Sequence, residues 1–102
     1  GAVDLELIND NVYSAASPEA PVIQLFGTTT TMIQIQIADE NAGSQSVSYE
    51  VYVDNSLYDT VNNNAPIISG LSSGNTYAIK VKSIYPNGLE SDFSNILTVT
   101  TL

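Results

Sequence analysis

Apolar and polar residues alternate in short runs along most of the chain. Val3, Leu5 and Leu7 are separated by Asp4 and Glu6, and Ile23 and Leu25 flank Gln24. Ile33, Ile35 and Ile37 enclose Gln34 and Gln36, and Tyr49, Val51 and Val53 enclose Glu50 and Tyr52. Tyr77, Ile79 and Val81 alternate with Ala78 and Lys80, and Leu97 and Val99 with Thr98 and Thr100. A period of two places alternate side chains on one face of a strand, and these runs are rich in β-branched and aromatic types. No long stretch carries a helical period.

Turn chemistry separates the runs. Ser17-Pro18-Glu19-Ala20-Pro21 reads as an entry into the first full strand, and Asp39–Gly43 as a loop. Asp54-Asn55-Ser56 has hairpin spacing. Asn62-Asn63-Asn64 precedes Pro66, and Ser72–Asn75 and Pro86-Asn87-Gly88 are turns. Short strands at this spacing without helices predict an all-β, seven-stranded antiparallel sandwich over residues 18–102. Residues 1–17 are expected to form an N-terminal extension. Within it, Val3–Ile8 is an extra edge strand, an arm or the end of a preceding domain. The start at Gly1-Ala2 without Met reads as a processed or trimmed product, a domain excised from a longer chain or else a complete small protein.

From Pro18 to Thr101 the order of these signals resembles a fibronectin type III domain, an immunoglobulin-like sandwich. In Ser69–Tyr77, Leu71 and Tyr77 keep the spacing of the family's tyrosine corner. Tyr49-Glu50-Val51-Tyr52 resembles strand C. Gly88–Asn95 resembles the glycine, spaced serines and Asn that enter strand G in bacterial and phage members. The chain departs from the pattern in two places. Ile37 stands where a core Trp is usual, and Ser73 stands at the usual Pro. The resemblance implies a core of Ile23, Leu25, Ile33, Ile35, Ile37, Tyr49, Val51, Val53, Ile68, Leu71, Tyr77, Ile79, Val81, Leu97 and Val99. Phe26 or Phe93 would fill the volume left by the missing Trp.

Composition narrows the function. At 43% hydrophobic residues, the chain is far from an acidic disordered tail. Without His or Cys it has no imidazole base, thiol nucleophile or disulfide, and none of the usual zinc sites. Two lysines and no arginine against 11 acidic residues give a net charge of −9. That balance disfavours nucleic acid and anionic membranes as partners. No apolar run is long enough for a membrane-spanning helix.

Carboxylates occur as Asp39-Glu40, Asp54 with Asp59, and Glu90 with Asp92. A glycosidase needs two carboxylates across a cleft; these sit on turns of a small convex fold, so no catalytic residue is expected. No cofactor is expected either. The oxygen donors calcium takes are present in Asn9-Asp10-Asn11, Asp39-Glu40-Asn41 and Asp54-Asn55, but turn chemistry is the favoured explanation and calcium the lesser alternative.

Two candidate binding surfaces follow. One is an outer sheet face of Tyr52, Tyr58, Lys80, Lys82 and Ile84, with Glu50 as a cross-strand partner for the lysines. The other is a loop surface of Tyr85, Asn87, Leu89 and Phe93. The resemblance implies a non-catalytic spacer or weak adhesion module of a larger extracellular, cell-surface or virion protein. Its partners would be neighbouring domains or other proteins of an assembly. The alternative is a carbohydrate-binding accessory domain of a secreted glycoside hydrolase, with surface glycans as partners. The Arg-Gly-Asp motif of integrin-binding members is absent.

Overall fold

The computed structural model describes residues 19–39 and 47–102. Val3–Ile8, Asn9-Asp10-Asn11, Glu40 and Asn41 lie outside them. Seven strands follow in chain order: β1 (Val22–Thr28), β2 (Ile33–Ala38), β3 (Ser48–Val53), β4 (Ser56–Val61), β5 (Ile67–Ile68), β6 (Thr76–Ile84) and β7 (Leu97–Thr100). They form two antiparallel sheets, one ordered β1-β2-β5 and the other β4-β3-β6-β7. The architecture is the all-β sandwich that the alternation predicts.

The inner faces meet through Ile23, Ile33, Ile35, Ile37 and Ile68 from one sheet and Tyr49, Val51, Ile79, Val81 and Val99 from the other. Val53, Leu71, Tyr77 and Leu97 pack at the margin of this core. The Tyr77 hydroxyl accepts the Ser72 N–H at 2.8 Å, which closes the tyrosine corner.

Leu25 departs from the expected core and is 46% exposed. The β1–β2 register shifts between Leu25 and Gly27, so Phe26 is an extra residue in β1. A bulge of this kind breaks the alternation and bends the strand, and β1 is an edge strand. Phe26 and Phe93 are both exposed, so neither fills the space beside Ile37. The aromatic side chains buried in the core are Tyr49 and Tyr85.

The stretch from β6 to β7 positions the candidate site. Ser91 and Ser94 dock it on β6 by a repeated device. Each serine N–H donates to a β6 carbonyl, Ser83 O at 3.0 Å and Val81 O at 2.7 Å. Each hydroxyl accepts the N–H of the same β6 residue, at 2.8 Å for Ser83 and 3.0 Å for Val81. Asn95 then reaches the opposite sheet. Its carboxamide accepts the Ile23 N–H at 2.9 Å and donates to the Ile23 carbonyl at 3.0 Å.

Candidate functional site

Pairing of β3 with β6 places Glu50 opposite Lys82, Tyr52 opposite Lys80 and Ser48 opposite Ile84. Their neighbours Val51, Ile79, Val81 and Ser83 are buried, so alternation turns Glu50, Tyr52, Lys80, Lys82 and Ile84 to the outer face. Leu57 of β4 pairs with Tyr52 and is exposed on the same face, a residue the sequence reading missed.

The segment docked by the serines adds Glu90 and Phe93. The Phe93 ring meets Tyr52 edge-on, with centroids 5.0 Å apart and planes at 90°, a favoured aromatic geometry. Lys80 Nζ lies 4.1 Å from the Phe93 ring centroid and Lys82 Nζ lies 5.4 Å from it. Both lysines of the chain therefore converge on one aromatic ring, within cation–π range.

Lys82 donates to Glu90 Oε1 at 2.8 Å and lies 3.7 Å from Glu50 Oε1. The hydrogen bond to Glu90 is the main cause that holds the Lys82 ammonium above its ordinary pKa, against a smaller desolvation effect. The Tyr52 hydroxyl donates to Glu50 Oε1 at 3.2 Å. Its pKa is raised, first by desolvation and then by the Glu50 hydrogen bond. Among the described residues, no carboxylate lies within ion-pair distance of Lys80.

Tyr58 does not join this face. The β3–β4 register shifts between Val51 and Tyr52, with Val51 paired to Asp59 and Tyr52 to Leu57. Tyr58 is thus the extra residue of a second bulge. Its hydroxyl accepts the Ser69 N–H at 2.9 Å, just beyond β5 of the opposite sheet. Tyr58 bridges the two sheets at their edge.

The expected loop surface divides. Tyr85 is 5% exposed and belongs to the core. Its hydroxyl donates to the Asp39 carboxylate at 3.3 Å, and the Ser83 hydroxyl donates to Asp39 at 2.8 Å. Burial, then the Asp39 charge, pushes the Tyr85 pKa up to about 12. Asn87 and Leu89 form the exposed turn tip, where Asn87 Oδ1 accepts the Leu89 N–H at 3.1 Å. Gly88 occupies φ 90° there, a conformation open to glycine. Phe93 leaves the loop for the sheet face.

Of the residues considered for calcium, Asp39, Asp54 and Asn55 are described. Asp54 and Asn55 form the β3–β4 turn at φ 50° and 69°, and Asp54 Oδ1 accepts the Ala78 N–H at 2.9 Å. Among the described residues, no group of three metal-ligating side chains occurs and no helix is long and apolar enough to cross a membrane.

No protein-family model matches the sequence, and no curated protein matches it. Solved structures match the fold. The chain is similar to the fibronectin type III domain of human fibronectin type III domain containing protein 3. The match has 18% identity, covers 90% of each chain and has a TM-score of 0.68. The central fibronectin-III array of RIM-binding protein matches at 29% identity and a TM-score of 0.60, over 72% of this chain and 31% of that one. A family 28 exopolygalacturonase of Yersinia enterocolitica matches at 16% identity and a TM-score of 0.68. That match covers 84% of this chain but only 20% of the enzyme chain. The fold is that of a fibronectin type III, immunoglobulin-like sandwich.

Proposed function

We propose that the chain is a non-catalytic module of a larger protein, working as a spacer or weak adhesion domain. The observation that carries this reading is the place of its structural neighbours. In the array and in the enzyme, the matched chain is about three and five times as long as the matched part, at 31% and 20% coverage. A sandwich with a continuous core holds its two ends apart and presents one face and its loops. The net charge of −9 keeps copies soluble and mutually repulsive. The parent is proposed to lie outside the cell, at its surface or on a virion, in keeping with the resemblance to bacterial and phage domains. The test is a denaturing immunoblot of soluble, surface and particle fractions of the native source. The expected band is much larger than 10.9 kDa, in the surface or particle fraction or in secreted material. A band at the chain's own mass would overturn the reading.

The likeness to the exopolygalacturonase favours a second reading, an accessory domain that holds a glycoside hydrolase on polysaccharide. Tyr52 would supply the aromatic contact. Retention on insoluble polysaccharide that Tyr52→Ala abolishes is the expected result; passage of the unmutated domain through every polysaccharide tested would end it.

A further inference from the structure

The two lysines share one sheet face with an exposed aromatic ring, but they are not equivalent. Lys82 is bracketed by Glu50 and Glu90. Lys80 is held over Phe93 and has no carboxylate partner among the described residues. A cation fixed over a ring loses less side-chain freedom when an anion arrives than a mobile surface lysine does. Phe93, the ring beside it, is exposed. The same ammonium roofs Phe93, and the ring stands edge-on to Tyr52. That arrangement offers no open pair of stacked rings for a sugar. Depressions around Met32 and Ile67 and around Gln24 and Asn64 lie elsewhere.

From this charge complementarity we propose that the β3–β6 face docks an acidic peptide segment of a neighbouring protein. Its carboxylate pairs with Lys80, and an adjacent apolar side chain lies against the exposed part of Phe93. The proposal rests on the chain being a binding module and names the partner chemistry of that site. Glu50 and Glu90 limit the segment to one or two carboxylates, because a polyanion would meet them and the net charge of −9.

The experiment is an NMR titration of the whole chain with three probes: an end-capped Glu-Leu peptide, its Gln-Leu counterpart and a short oligogalacturonate. The Glu-Leu peptide is expected to shift the Lys80 side-chain and Phe93 ring resonances, and the Gln-Leu peptide to leave them in place. Lys80→Met keeps the chain length over the ring and should weaken Glu-Leu binding by roughly tenfold or more. Thermal unfolding of the variant like that of the parent would show that the fold is intact. Equal binding by Lys80→Met, shifts confined to another face, or no shift with Glu-Leu would overturn the proposal. A response to oligogalacturonate alone would overturn it in favour of an anionic sugar. The immunoblot is independent, so the module reading and the docking site can fail separately.

Discussion

At the scale of single residues, the positions that matter most are polar groups closed inside the fold. Ser94 is buried, and its hydroxyl is the acceptor for the Val81 N–H. Ser94→Ala leaves that donor without its side-chain partner and should cost ~1–3 kcal/mol, read from the shift in urea midpoint. Tyr85 gives a pH effect. Its folded pKa of about 12 lies above the roughly 10 of an unfolded tyrosine. The raised value favours the neutral phenol in the fold, so its contribution is complete below pH of about 10. It is lost as pH rises from there through about 12. Lys82, also raised, loses its contribution in the same direction. Tyr85→Phe should lose less stability than the parent over this window, checked by denaturant midpoints at a series of alkaline pH values. A parallel decline would show that Tyr85 does not drive it. The inward place of Tyr85 was legible in the sequence, since Ile79, Val81, Ser83 and Tyr85 continue one parity. The turn residues after it, Pro86-Asn87-Gly88, made it read as loop.

At the scale of elements, the hairpin between β3 and β4 turns on two residues of positive φ, Asp54 and Asn55. Asparagine tolerates this region and β-branched residues do not. Asn55→Val should destabilise by ~1–2 kcal/mol, and an unchanged melting temperature would count against the assigned turn. The strands followed from the period of two, and most of the inward set from the resemblance to fibronectin type III domains. The bulges did not. An extra residue at Phe26 or Tyr58 leaves no composition signal, because both sit in runs that read as ordinary strand. One inserted position in each strand goes with the exposure of Leu25 and with the move of Tyr58 from the outer face to the Ser69 contact. The meeting of Phe93 with Tyr52 was equally hidden. Phe93 is 41 positions further along the chain, and its place on the sheet depends on serine contacts that the Ser-x-x-Ser spacing alone does not specify.

At the scale of the whole molecule, one core without disulfides must oppose the conformational entropy of the folded residues. Ile79 is fully buried; Ile79→Ala should cost ~2–5 kcal/mol, a large share of the ~5–15 kcal/mol typical of a domain. Cooperative unfolding at a much lower urea concentration is the expected observation. Net charge acts on the same balance. At −9 the folded chain repels itself, so raising salt from ~0.01 to ~0.15 M, where screening shortens from about 30 to about 8 Å, should raise the melting temperature. A flat or falling curve would mean that the Lys82 ion pairs, which salt weakens, outweigh the repulsion.

The Asn95 carboxamide has a consequence for a domain that carries tension. Pull on a spacer enters near β1 and leaves beyond β7, and the carboxamide ties the first of these strands to the residue just before the second. Its two hydrogen bonds to Ile23 would be loaded together rather than peeled in turn. Were the chain such a spacer, the force at which it begins to yield would be set in part by a side chain outside every strand.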